Sequence, residues 1–350
     1  MTAGEGAMKA YRMEDAGKGG IIELPLPMPS AREVRIKTAY SGICGSDLHA
    51  YHGIHIRRRL PLVPGHETSG VVDAVGLGVS PSILGARVTV LPERGCGRCE
   101  ACRHGWTNVC GSKTLLGTQN WPGAFAEFFC APIENIIELP ADIPLALAVL
   151  VEPLAVAVHA VRLAGFDEGD SMLLFGAGAI GSLILAVCGI IGARYSIVCD
   201  VRDFSLGVAR AQGADIVLNT SGLAASELFE ALEGPSVDTV FIAASHHDLI
   251  NQSFSLVRPH GAVVLVGQFN KPGIIDIDKS RLKEQRILGS FTYLVEDFTE
   301  AVELLANFPD AFMPLISAEI PLDEVDATIR TMIAGQIDAI KIIAALGDLH

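Results

Sequence analysis

The run from Ser171 to Ala193 carries no charged side chain and is broken by glycines at Gly176, Gly178, Gly181, Gly189 and Gly192. Two environments suit so long an uncharged stretch: a bilayer, or the interior of a layered domain in which neither face meets water. The glycines and the strand-like opening S-M-L-L-F, followed at once by a tight turn, decide for the interior. The texture continues in both directions. Strands near 171–175, 195–199, 216–218, 238–243, 262–267 and 287–291 alternate with helical patterns, which predicts a doubly wound α/β domain with a parallel sheet.

The turn reads L-L-F-Gly176-Ala177-Gly178-Ala179-Ile180-Gly181, a G-x-G-x-x-G between a strand and a helix. The first glycine permits the tight turn, the second lets a pyrophosphate approach the backbone, and the third brings helix and strand close. The next strand ends in Asp200, about 20 residues beyond the motif, where a carboxylate accepts hydrogen bonds from an adenosine ribose and repels a 2′-phosphate. Gly176, Gly178, Ile180, Gly181, Asp200 and Arg202 are thus the candidate cofactor contacts, and NAD is expected in preference to NADP. Arg202 pulls the other way, since a guanidinium there could pair with a 2′-phosphate or stack on adenine. His246 and His247, after the strand T-V-F-I-A-A, are read as lining the cofactor loop.

A chain of 350 residues suits two domains. The first 150 residues are short alternating segments such as Val34-Arg35-Ile36-Lys37, separated by Gly and Pro, and predict mostly antiparallel β structure. After Tyr293 a helix (296–307), a short β stretch, a second helix (323–334) and a strand (339–344) are expected to rejoin that first domain. The expected division is 1–153 with 292–350 as one domain, and 154–291 as the NAD-binding domain. A net charge of −14, with no basic run longer than Arg57-Arg58-Arg59, argues against nucleic acid as a partner. The first residues lack a basic region followed by an apolar run, so a cytoplasmic location without membrane association is expected.

Cys96, Cys99, Cys102 and Cys110 form C-x2-C-x2-C-x7-C, compact enough to bring four sulfurs around one tetrahedral ion. Such a site is closed, so its zinc holds a lobe together and does no chemistry. Paired disulfides and plain apolar packing suit the run less well, because its neighbours are Gly, Arg and His and nothing else points to secretion.

A second set lies in other motifs: Cys44 in C-G-S-D-L-H, His66 and Glu67 in P-G-H-E, and Glu152 in V-E-P-L. One sulfur, one imidazole and carboxylates can hold zinc while leaving room for a water or a substrate oxygen. Taken singly, each would read as core or surface. Ser46 could exchange hydrogen bonds with such an oxygen and His49 could carry its proton onward. Alternatively, Ser46 caps a helix and His49 is an exposed helical residue.

With these motifs in place, the chain closely resembles the zinc-containing medium-chain dehydrogenases, particularly their polyol (sorbitol) and threonine dehydrogenase branch. The resemblance runs from Met8 to about Ala345 and rests on C-G-S-D at 44–47, G-H-E at 65–67, the four cysteines, G-A-F-A-E at 123–127, E-P-L at 152–154, the glycine turn and G-S-F-T-Y at 289–293. It implies a GroES-like, mostly β catalytic domain beside a Rossmann domain. It also implies two zinc ions per chain, a homodimer or homotetramer, and hydride transfer from a secondary alcohol of a polyol or hydroxy acid to NAD. By the resemblance Cys44, His66 and Glu67 would be zinc ligands, Glu152 would bind zinc directly or through its water, and Ser46 and His49 would relay the substrate proton. The polyol branch usually shows Arg in a G-x-F-R-Y stretch, where this chain has Thr292. In a loop that the family places near the substrate cleft, Arg57, Arg58 and Arg59 could match the anion of a sugar acid or sugar phosphate. They could equally be a solvated loop or a subunit contact. Trp121 either lines the pocket or packs. A non-catalytic NAD- and zinc-binding protein on the same fold, and a carbonyl reductase using NADPH, are the competing readings.

Overall fold

The alternation after residue 170 resolves into one six-stranded parallel sheet. Its order is Ile216–Asn219, Tyr195–Asp200, Ser171–Phe175, Val237–Ile242, Val257–Leu265 and Arg286–Gly289. The computed structural model describes residues 6–222, 236–269 and 271–347. Contacts divide the chain into two compact units, Pro153–Tyr293 and Met1–Glu152 with Leu294–His350.

In the first of these units, Ser171–Phe175 is buried at every position, as expected of a central strand covered on both faces. Leu173, Phe175, Ile197, Val240, Phe254 and Val263 lie in one apolar cluster. The strand that follows Ser171–Phe175 in sequence lies on one side of it and a later strand lies on the other, so the order reverses at its carboxyl end. There the chain turns through Gly176 (φ 95°) into the helix Ala179–Ile191. A Cβ on Gly181 would collide with the Gly176 carbonyl oxygen, so the helix can approach the strand only because that side chain is missing. Among the described residues no helix is long and apolar enough to cross a membrane. One strand starts earlier than the pattern suggests: Val257 pairs with Val237, then the register shifts before Ala262 pairs with Thr239. The residues between bulge outward, and alternation alone does not reveal a bulge.

The other unit is built on a seven-stranded sheet in which Glu33–Gly42 pairs with Glu67–Val75, Phe128–Pro132 and the C-terminal strand Lys341–Ala345, all antiparallel. A single parallel pair joins Ile316–Pro321 to Lys341–Ala345. Gly42, at the end of the central strand, is opposite Glu67 on one side and Ile343 on the other. A Cβ on Gly42 would collide with Glu67 Oε2, so glycine is what lets the three segments converge. Trp121 is buried, packs in the cluster of Val34, Ile36, Val72 and Phe129, and donates its indole N–H to the Cys130 carbonyl at 2.9 Å. It is a packing residue.

The four-cysteine segment is a lobe whose stem is the antiparallel pair Glu93–Arg94 and Thr114–Leu115. Lys113 Nζ ties that stem by donating to both Glu93 carboxylate oxygens (2.8 and 2.7 Å) and to the Asn108 carbonyl (2.8 Å). The sulfurs of Cys96 and Cys102 are 4.0 Å apart, and those of Cys99 and Cys110 3.7 Å. Disulfide sulfurs would be about 2.05 Å apart. Four thiolates about 2.3 Å from a tetrahedral zinc stand about 3.8 Å from one another, so the spacing fits the metal. Backbone N–H groups of Arg98 and Cys99 hold the Cys96 thiol down at about 6, favouring the thiolate that a metal needs. Replacing Cys99 with Ser should remove one zinc equivalent by metal analysis and lower the melting temperature, because a structural zinc contributes folding energy directly. Unchanged zinc content and melting would remove the structural-zinc reading.

Candidate active site

Cys44 follows the central strand by two residues and is the N-cap residue of the short helix Gly45–Tyr51, while Glu67 opens the neighbouring strand and His66 immediately precedes it. The donor atoms of Cys44, His66 and Glu67 lie within 4.8 Å of one another. Glu152, in the first turn of the helix Val151–Ala164, stands outside that group. Its charge nevertheless acts on Cys44. A thiol, an imidazole and a carboxylate at this spacing are a donor set that suits zinc with a position left open.

Glu67 is 1% exposed and Lys341 4%. Lys341 Nζ donates to both Glu67 oxygens at 2.7 Å and to the Ile43 carbonyl at 3.2 Å. Burial alone would lower the Lys341 pKa, but Glu67 outweighs it and keeps the ammonium charged. Cys44 is pushed up to about 12 by desolvation and then by the Glu67 charge. The sulfur therefore lacks a cation of its own, which a bound divalent metal would supply. Burial, followed by Arg58, holds His66 well below its ordinary value, so the ring is neutral and in its ligand form.

Asp47 joins these parts. Its Oδ2 accepts from the Cys44 backbone N–H (3.0 Å) and its Oδ1 from Arg58 Nη1 (2.5 Å), and Oδ1 is 3.8 Å from His66 Nδ1. His66 Nδ1 and Ser46 Oγ are buried without a hydrogen-bond partner. Ser46 thus does not cap the helix, and its hydroxyl is left for something the chain does not itself provide. His49, three residues on, is half-buried on the same helix face.

The structure corrects one expectation for the arginine loop. Arg58, 5% exposed, is turned inward onto Asp47 and cannot meet a ligand as its neighbours can. Arg57 and Arg59 are exposed. In the other unit, Asp200 Oδ2 accepts from the Ala177 N–H (2.7 Å) and Oδ1 from the Arg202 N–H (2.9 Å), which fixes the carboxylate at the mouth of the glycine turn. A Cβ on Gly178 would meet nothing within 4 Å, so the backbone there is open to a ligand. His246 and His247 stack at 5.5 Å and both stand near Asp248.

Residues 30–141 match the alcohol dehydrogenase GroES-like domain and residues 179–307 the zinc-binding dehydrogenase model. The chain is 36% identical over 284 residues to starvation-sensing protein RspB of Escherichia coli K12, covering 81% of this chain and 83% of that protein. It belongs to the zinc-containing medium-chain dehydrogenase family. This dehydrogenase is also 33% identical over 315 residues to 2-dehydro-3-deoxy-L-galactonate 5-dehydrogenase of Pseudoalteromonas atlantica, covering 89% and 91% of the two chains. A crystal structure of an alcohol dehydrogenase, RspB from E. coli CFT073, in complex with NADH superposes with a TM-score of 0.90 at 32% identity, over 97% of this chain and 99% of that one.

Two residues of the dehydrogenase site escaped the sequence reading, Asp47 and Lys341. Asp47 stands inside the C-G-S-D motif, and Lys341 is the one charge opening the apolar strand K-I-I-A-A, which was the available signal. Lys341→Met would leave Glu67 buried and unpaired, and should cost about 3–5 kcal/mol in urea unfolding. Adding Glu67→Gln should recover most of that loss. A single variant as stable as the parent would argue against the pair.

Proposed function

We propose that this dehydrogenase oxidises a secondary hydroxyl of a polyol or a hydroxy acid such as a sugar acid, with NAD as hydride acceptor. The observation that carries the reading is the buried thiol, imidazole and carboxylate group beside a serine hydroxyl with no partner of its own. The family and the relatives with sugar-acid and alcohol chemistry support it. In this reading the unit containing Cys44 serves catalysis and Pro153–Tyr293 serves the cofactor.

Zinc bound here would supply Lewis-acid polarisation of the substrate hydroxyl, and NAD bound at the glycine turn would accept the hydride. Cys44 and neutral His66 are the strong donors. Glu67, whose charge Lys341 shares, would be the weaker one, and Glu152 would contribute directly or through a water. Ser46 Oγ takes the hydroxyl proton and His49 passes it to solvent. The carbinol C–H leaves as hydride, so the products are a ketone, NADH and a released proton. Asp47 orients the group by holding the Cys44 backbone and the Arg58 loop together.

Asp200, with its carboxylate fixed at the turn, favours NAD over NADP. Arg202 is the observation on the other side, and it is what an NADPH-dependent carbonyl reductase would use. The eight free thiols suit a reducing cytoplasm, and we assign a homodimer or homotetramer.

Cys44→Ser and His66→Ala should each abolish alcohol oxidation and remove one zinc equivalent, while NADH binding by fluorescence persists. Substantial activity in either variant would overturn the assignment of Cys44 and His66 to a catalytic zinc, whereas a parent enzyme that oxidises no alcohol would support the non-catalytic reading. Asp200→Ala should move the preference in kcat/KM toward NADP, since it removes both the ribose acceptor and the repulsion of a 2′-phosphate. A parent enzyme that already prefers NADP would overturn the cofactor assignment.

A further inference from the structure

A cavity of about 280 Å³ lies between Ile56, Arg57 and Arg59 on one wall and the segment from Gly111 to Asn120 on the other. The volume falls just short of the roughly 300 Å³ at which pockets for drug-sized ligands begin, and suits a small group rather than a whole ligand. Its charged lining is one-sided. Lys113 is committed to Glu93 and Asn108, whereas the guanidinium groups of Arg57 and Arg59 make no hydrogen bond or ion pair among the described residues. Two unpaired guanidinium groups facing one cavity are unexpected in a chain with 40 acidic and 26 basic residues, where carboxylates outnumber cations. Opposite them the side chains of Gln119 and Asn120 add amide hydrogen-bonding groups.

The chain segments that line the cavity also touch the residues next to Cys44 and His66. On one wall Arg58 is anchored inward on Asp47, which leaves its two neighbours directed to the cavity. His55 Nδ1 accepts from the backbone N–H groups of Arg57 and Arg58 at 3.2 and 3.0 Å, which fixes the loop. On the other wall Gly117, between Leu115 and Thr118 of the lining, backs onto Gly65 beside His66: a Cβ on Gly117 would stand 3.3 Å from the Gly65 nitrogen. The lining thus adjoins, on one side, the Arg58 contact to Asp47 and, on the other, the Gly65 backbone that precedes His66.

We propose that this cavity binds the anionic group of the substrate, a carboxylate or a phosphate, with Arg57 and Arg59 as the residues that select for it. The assignment rests on the dehydrogenase reading and narrows its substrates to polyhydroxy compounds bearing an anion. A planar guanidinium fork matches either anion bidentately, and a hydrogen bond to a charged group is the strongest polar contact such a small site can make. Arg58 belongs to the positioning of Asp47 and has no part in this recognition.

The test uses the zinc-loaded enzyme and its Arg57→Gln/Arg59→Gln variant, checked for an equal melting temperature. Calorimetric titration with inorganic phosphate should show binding to the parent that weakens at least about tenfold in the variant, and Arg57→Lys/Arg59→Lys should recover part of it. With D-gluconate, D-sorbitol 6-phosphate and neutral D-sorbitol as substrates, the ratio of kcat/KM for the preferred anionic compound to that for sorbitol should fall roughly ten- to a hundredfold in the variant. The gluconate and sugar-phosphate arms identify which anion the cavity takes. Equal losses on anionic and neutral substrates, or phosphate binding indifferent to both arginines, would overturn the proposal while leaving alcohol oxidation intact. Arginine-dependent phosphate binding in an enzyme that oxidises no alcohol would overturn the functional reading and leave the anion site standing.

Discussion

The Glu67–Lys341 pair places two full charges in an interior that excludes water, and the arrangement of the surrounding unit depends on it. Burying either charge alone would cost several kcal/mol, so each is tolerable only because the other is 2.7 Å away. The partners are 274 residues apart, which ties the C-terminal strand to the start of the chain. That tie requires Glu33–Gly42 to pair with both Glu67–Val75 and Lys341–Ala345, and it requires a residue without a side chain at Gly42. Once those strands are in register, Cys44 and His66 have no freedom to be elsewhere. The donor group is therefore a consequence of the sheet and not an addition to it.

Charge balance around the group favours a cation. Asp47 is paired with Arg58 and Glu67 with Lys341, and a Cys44 thiolate would add one more negative charge beside them. Without a further positive charge the protein keeps that sulfur protonated, with its pKa pushed up to about 12. Coulomb interactions in so sheltered a place are stronger than at the surface, so a divalent ion bound directly to the sulfur would reverse a preference that Lys341, shared with Glu67, only reduces. Lys341 is engaged by Glu67, and Arg58 by Asp47. Lys341 does favour the thiolate, but burial and the Glu67 charge outweigh it, which is the electrostatic reason the site suits a metal better than it suits a thiol alone.

Features set by local chemistry could be read from the sequence. The glycine turn was legible because φ at Gly176 and the contact at Gly181 forbid a side chain whatever surrounds them. The cysteine lobe was legible because its ligand spacing closes within fifteen residues. Features set by long-range register were not. Lys341 could be recognised as odd in an apolar strand, but nothing local says that Glu67 will stand opposite. The three consecutive arginines look alike as a string, and only the buried Asp47 carboxylate distinguishes Arg58 from its neighbours. The bulge between Val257 and Ala262 is likewise a matter of pairing with Val237–Ile242, which the segment's own residues do not encode.

The lobe and the cavity share a length of chain. Cys110 is followed at once by Gly111, Lys113, Thr114 and Leu115, which line the cavity, and the stem pairing of Thr114 with Arg94 fixes where that wall begins. At its far end the wall is closed by Gly117 and Thr118, whose N–H groups both donate to the Trp121 carbonyl, with the indole anchored in the core. A four-sulfur site that performs no chemistry thus sets the position of a surface facing Arg57 and Arg59. The lobe bears on the cavity because the segment it fastens would otherwise be a long loop with no internal structure and no fixed distance to the arginines.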